Sequence, residues 1–255
     1  MYQKIIKNVI FGIKSNYRAV IYLLSSMYLS IYCDFSDNSE SYLAKQNNIL
    51  NIYFVKFSWG WTLLSLGGYV IATTIENPKI QTNYTDCINV LLKLAIRLFI
   101  ATMVWYFITE SFLLVEEQTG VCAIPKYLDK STCRNNGFFW KGFDISGHCF
   151  LLVWCNLVIN EEIQGSSTLD MKEKVTVVMD TSSKNNSRNQ FSFGPLFFYL
   201  LAFITMLWDL MIICTNMYFH TPYEKILGTV IAVSIWLVLY QFIYKKYLSK
   251  YLKIK

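Results

Sequence analysis

Histidine is nearly missing from this chain: its 255 residues hold two, His148 and His220. Two imidazoles and scattered cysteines supply no zinc-ligand set of recognisable spacing, so no metal is expected. Nor is there a P-loop, a dinucleotide-binding glycine pattern or a serine nucleophile elbow, and no cofactor is expected. No run of basic and aromatic residues suggests nucleic acid, and no internal repeat of the kind that builds transporters is visible. Charge is scarce as well, at 16% of residues. What is present is apolar: 54% of the chain is hydrophobic, 17% is aromatic and the mean hydropathy is +0.34. These residues are gathered into long blocks rather than spread at amphipathic spacing. The composition defines an integral membrane protein of the all-α class.

A helix needs about 20 apolar residues to cross the hydrocarbon core with every backbone group satisfied internally. Six such spans can be placed. They run near Tyr17–Cys33, Phe54–Ile75 and Ile88–Val115, then after His148, then over Pro195–Phe219 and Leu227–Tyr244. The first is short and rich in Ser and Tyr, and the fourth must recruit residues on both sides of Cys149–Ile159. Residues 17–247 then form one six-helix domain, preceded by a basic segment at 1–16 and followed by a basic tail at 248–255. In the leading segment Ile5, Ile6, Val9, Ile10 and Ile13 recur on one face, with Lys4, Lys7 and Lys14 on the other. That pattern fits a helix lying on an anionic leaflet, with a disordered basic leader as the alternative. No signal-peptide cleavage pattern precedes the spans, and the N-terminus is expected to be retained.

With six spans, both ends share one side with the loops at 76–87 and 160–194. Lys4, Lys7, Lys14 and Arg18 at one end, and Lys245, Lys246, Lys250, Lys253 and Lys255 at the other, make that side cytosolic. The loop at 34–53, with Asp34, Asp37 and Glu40 against Lys45, is then lumenal. So is 116–145, where Cys122 and Cys133 are expected to pair as a disulfide rather than stay free thiols. The sequons Asn83-Tyr84-Thr85 and Asn185-Asn186-Ser187 fall in cytosolic loops, where they would stay unmodified. The Ser-rich, charged stretch at 164–190 reads as a flexible connection.

This topology puts both histidines at the lumenal surface, each beside a helix start. Ahead of His148, Ser146 is a good N-cap and Gly147 lets a ligand approach the backbone. After His220, Thr221-Pro222-Tyr223-Glu224 combines an N-cap, Pro at the first helical position and Glu at the third. Converging helix N-termini, each with an imidazole, suit a phosphate or pyrophosphate, one ring attacking phosphorus and the other protonating the departing oxygen. The alternative is that each ring merely anchors at the headgroup level. Lys225, in a first turn where the helix dipole disfavours a cation, asks for an anionic partner. Lys141 stands ahead of the Gly147-His148 corner. For both lysines the alternative is snorkelling toward headgroups. Asp144 is placed to orient His148 by accepting its other ring hydrogen, or simply to be solvated. Lys93, Arg97, Glu110 and Asp209 are costly inside a membrane. Lys93 and Arg97 can snorkel, whereas Asp209 either lines a lipid cavity or pairs with another span.

Three stretches carry a resemblance: Tyr53-Phe54-Val55-Lys56 with Trp59 and Trp61; Gly142-Phe143-Asp144-Ile145-Ser146-Gly147-His148; and Tyr218-Phe219-His220 with Lys225 and Gly228. Over roughly residues 40–230 the chain resembles the fat storage-inducing transmembrane protein family, which is itself similar to the lipid phosphate phosphatases. The resemblance implies six spans in the endoplasmic reticulum membrane with both termini cytosolic. It also implies a lumenal enzyme that cleaves the diphosphate of fatty acyl-coenzyme A to acyl phosphopantetheine and adenosine 3',5'-bisphosphate, supporting lipid-droplet formation and membrane lipid balance. Membrane lipids, diacylglycerol and triacylglycerol are the further partners it implies. A non-catalytic protein that partitions those neutral lipids is the alternative. Ser146-Gly147-His148 matches the phosphatases' second motif, whose histidine protonates the leaving group, and His220 matches the nucleophilic histidine of the third. Here the pattern departs: no Ser-Arg pair precedes His220, Glu224 stands where an Asp is usual, and the first motif's Lys and Arg have no lumenal match. A histidine at the positive end of a helix is also better suited to neutral nucleophile than to standing acid, which leaves the division of roles open.

Overall fold

A computed structural model describes residues 2–34, 42–45, 47–77, 84–177 and 193–248. They are almost wholly helical. Helix α1 (Tyr2–Phe11) leads into α2 (Ser15–Asp34), and a π-helical turn (Leu50–Val55) into α3 (Ser58–Glu76). Helix α4 (Tyr84–Thr119) is followed by strand β1 (Val121–Cys122), the short α5 (Lys130–Asn135) and strand β2 (Trp140–Lys141). Then come α6 (Gly147–Val177), α7 (Gly194–Tyr218) and α8 (Pro222–Trp236), which continues in π geometry over Leu237–Leu248. Among the described residues, three helical stretches are long and apolar enough to cross a membrane by length and composition: Cys87–Thr119, Gly194–Tyr218 and Pro222–Tyr244.

The centre of the bundle is α6. Phe150, Leu152, Trp154, Leu157 and Ile159 lose all their exposure, and so do Asn156 and Asn160 on the same helix. A helix enclosed on every side belongs in the interior of a protein; α2, α3, α7 and α8 pack around this one. It also runs on to Val177, so helix extends into the stretch expected to be a flexible connection. The rest of that stretch lies outside the described residues, as do Asn83 and Asn185 of the two sequons. Helix α1 is present but does not keep its apolar residues on one exposed face. Phe11 is buried, Ile6 and Ile10 pack on the core, and Ile5 and Val9 point outward.

Ionisable groups inside the bundle find partners. Asp209 pairs with neighbouring helices: Tyr22 of α2 and Asn156 of α6 donate to its Oδ1 at 2.6 and 2.8 Å. Arg97, expected to snorkel, instead forks onto Glu162 of α6 through Nε and Nη2 at 2.8 and 2.7 Å. The gain is geometric, because guanidinium and carboxylate match as planar forks and each satisfies the other where water is scarce. Glu76 at the end of α3 accepts from the Phe193 and Gly194 amides, at 2.6 and 3.0 Å, and so closes the N-terminus of α7. Asn160 is tied to the start of α2 through the Ile13 carbonyl and Ser15 Oγ. The Asp209 cluster lies midway along the bundle, and the other three links gather toward the end away from both histidines.

Candidate functional site

The histidine-bearing end begins with two helix starts held face to face. Ser146 Oγ accepts from the Cys149 amide at 3.3 Å, as an N-cap does. At α8, Thr221 occupies the N-cap, Pro222 opens the helix, and Glu224 Oε2 accepts from the Thr221 amide at 2.8 Å. The two starts are joined directly: the Ser146 amide donates to the Glu224 carbonyl at 3.2 Å, and the Asp144 amide to Glu224 Oε1 at 3.3 Å. Gly228 permits this approach, since a β-carbon there would fall 2.5 Å from the Ser146 carbonyl oxygen.

Against the start of α6 and the turn ahead of α8 lies a cavity of about 600 Å³. It is lined by polar side chains, those of Asn47, Asn51, Lys56, Thr109, Asp144, His148 and His220, interleaved with the apolar Val55, Trp105, Leu151 and Phe219, and by Gly147. His220 has φ +61, in the left-handed region that a non-glycine residue rarely occupies. That backbone turn carries the chain from α7 into α8 and presents the ring to the cavity. Its Nδ1 lies 3.5 Å from Asp144 Oδ2 and 3.7 Å from Glu224 Oε2. Asp144, expected to orient His148, therefore faces the other imidazole. Partial burial raises the Asp144 carboxyl above its usual range, and His220 pulls it back down. At the mouth of α6, burial first, then the charges of His220 and Lys56, push His148 down to about 4. Its ring is neutral at neutral pH, and it senses both other groups across the cavity.

The remaining residues named from sequence separate from these. Gly147 lines the cavity, but Ser146 is fully buried and serves as the cap. Lys225 is 4% exposed and turns back to the end of α7, donating to the Asn216 carbonyl at 2.8 Å. There it meets the negative end of a helix, which supplies the anionic partner its position called for. Lys141 lies exposed on β2, opposite Val121 and outside the cavity. The Cys122 and Cys133 sulfurs are bonded, with Cα atoms 5.9 Å apart, and staple the excursion between α4 and α6. That excursion is pinned to the end of α4 by Glu116, which meets Lys130 at 2.6 Å and Arg134 at 3.2 Å. Asp144, at the end of that excursion, lines the cavity. Among the described residues, no group of three or more His, Cys, Asp or Glu is placed to hold a metal ion.

Sequence reasoning missed Lys56, Asn47 and Asn51. A continuous span from Phe54 would have carried Lys56 into the membrane. Instead the helix breaks at Phe57 (φ −106, ψ 17), after the π-helical turn, and leaves Lys56 at the bundle's end. Its signal was present in Tyr53-Phe54-Val55-Lys56, one of the stretches that carried the resemblance.

A helical bundle with membrane-length apolar helices and two imidazoles at one polar-and-apolar cavity defines the class: a multi-pass membrane protein with a histidine site at one end. Residues 39–115 and 113–240 match the family described as fat storage-inducing transmembrane protein, and the chain belongs to that family. It is similar to the Acyl-coenzyme A diphosphatase FITM2 of Xenopus laevis, 34% identical over 227 residues that cover 86% of this chain and 79% of the relative. The Danio rerio protein of that name is 36% identical over 220 residues, covering 82% of this chain and 77% of its own. The Homo sapiens one is 32% identical over 228 residues, covering 86% and 79%. No solved structure matches the chain.

Proposed function

We propose that this protein is a fatty acyl-coenzyme A diphosphatase of the endoplasmic reticulum membrane, with six spans, both termini cytosolic and its cavity open to the lumen. The observation that carries the reading is that both histidines of the chain line one cavity. The relatives' name supplies the substrate class, and the mixed polar and apolar lining suits a molecule with a charged diphosphate and an apolar tail. The described ends of the chain, around Asn160 and Glu162, lie away from that cavity, in keeping with opposite membrane faces.

His220 is the nucleophile of choice. Carboxylates beside Nδ1 favour the tautomer with its hydrogen there, which leaves the Nε2 lone pair free to attack phosphorus. Attack at one phosphorus breaks the bridging P–O bond, and the departing phosphate monoester takes a proton from His148. The group left on Nε2 is a phosphoramidate, either acyl-phosphopantetheinyl or 3'-phosphoadenylyl, and water then hydrolyses it. His148 is neutral in the empty cavity, but a bound diphosphate favours its charged form and raises its pKa toward that of a working acid.

The test is release of adenosine 3',5'-bisphosphate from a long-chain acyl-coenzyme A by purified protein in detergent or liposomes. His148→Ala and His220→Ala are each expected to lower turnover by at least about a thousandfold while leaving diacylglycerol and triacylglycerol binding intact. Equal turnover by wild type and both variants would falsify the enzymatic reading and return the protein to the lipid-partitioning class.

A further inference from the structure

The acids already at this site set a problem of charge. Asp144 and Glu224 stand beside His220, so a diphosphate entering the cavity meets carboxylates unless a cation faces them. Lys225 is bound to Asn216 and Lys141 lies outside the cavity. Among the described residues that line the cavity, Lys56 is the one lysine or arginine.

Local structure fixes where Lys56 stands. Its amide closes the π-helical turn on the Asn51 carbonyl at 3.1 Å. The turn itself is knitted by Asn48, whose Oδ1 accepts from the Asn51 amide at 2.8 Å and whose Nδ2 donates to the Lys45 carbonyl at 2.8 Å. Asn48 is thus spent on backbone, while its neighbours Asn47 and Asn51 line the cavity. Two amides and an ammonium therefore share one wall. The Lys56 side chain is exposed, and no ion pair holds it among the described residues.

We infer that the segment 47–56 is the phosphate-binding wall of the cavity, with Lys56 as the cation that receives the non-attacked phosphoryl of the substrate's diphosphate. This rests on the diphosphatase reading for its substrate. Lys56 neutralises charge that grows on the departing phosphate as the bridge breaks.

The experiment uses full-length Lys56→Gln and Lys56→Arg, each compared with wild type on a long-chain acyl-coenzyme A and on the same ester lacking the ribose 3'-phosphate. Gln is expected to lower kcat/KM by about ten- to a hundredfold, equally on both substrates, and Arg to restore most of it. A loss confined to the substrate that keeps its 3'-phosphate would assign Lys56 to the ribose phosphate and overturn the inference. Activity within twofold of wild type would overturn it too. Direct titration with inorganic pyrophosphate needs no turnover: binding weakened severalfold in Lys56→Gln supports the wall even if wild type hydrolyses nothing, an outcome that would sink the diphosphatase reading alone. Unchanged pyrophosphate affinity sinks the wall.

Discussion

The two ends of the bundle handle polar groups in opposite ways. At the end near the chain termini, polar side chains are spent on one another: Arg97 on Glu162, Glu76 on the α7 amides, Asn160 on Ser15. At the other end an imidazole neutral at neutral pH, a second imidazole in left-handed backbone and an exposed Lys56 with no ion pair among the described residues surround open volume. Even there the supporting atoms are committed, because both Glu224 carboxylate oxygens accept backbone amides and Ser146 caps a helix. The contrast teaches where this sequence uses polarity for cohesion and where it holds polarity in reserve for a ligand.

The largest effect that sharpens the contrast is already named: loss of either imidazole should abolish turnover. It should also shift the melting temperature less than loss of a buried ion pair does, since the approaches of His220 to Asp144 and Glu224 are long, at 3.5 and 3.7 Å. The reverse is expected of Glu162→Gln. Removing one partner of a largely buried ion pair costs about 2–4 kcal/mol, discounted because Arg97 keeps a quarter of its side-chain exposure. Thermal unfolding should show that loss, with kcat per folded molecule unchanged. Replacing both partners by apolar residues, as in Arg97→Met with Glu162→Leu, should recover most of it. A drop in kcat on Glu162→Gln would mean the two ends are coupled and the contrast is false.

How much of this was legible depends on distance along the chain. Thr221-Pro222-Tyr223-Glu224 and Ser146 announced their helix starts because capping is settled within four residues. The pairing of Cys122 with Cys133 was legible too, since both fall in one short loop. Lys56 was hidden: the aromatic run through Phe57 is as apolar as the span that follows it, and hydropathy does not register a π-helical turn. Lys225 was read from its own helix's dipole, whereas its ammonium answers to the carbonyl end of the preceding helix. Asp144 was assigned to the histidine nearest in sequence. Its partner is 76 positions away and is brought there by the α6–α8 contact that Gly228 permits. Arg97 and Glu162 are likewise 65 residues apart, beyond any local pattern.

A smaller effect concerns pH. His148 sits near 4 in the empty cavity, and a bound anion must raise it. If His148 acts as the acid, activity falls as it loses its proton, so the basic limb should lie at higher pH in kcat than in kcat/KM. Removing the Lys56 charge takes away a group that holds His148 down, and the kcat/KM limb should then move upward in Lys56→Gln. Coincident limbs in both profiles, unmoved by that substitution, would take His148 out of the proton transfer.

The most direct measurement is mass spectrometry of peptides from protein quenched during turnover of a long-chain acyl-coenzyme A. An acid-labile adduct is expected on the peptide containing His220, with a mass that identifies it as acyl-phosphopantetheinyl or as 3'-phosphoadenylyl. An adduct on His148, or sustained turnover with neither histidine modified at any quench time, would contradict that expectation.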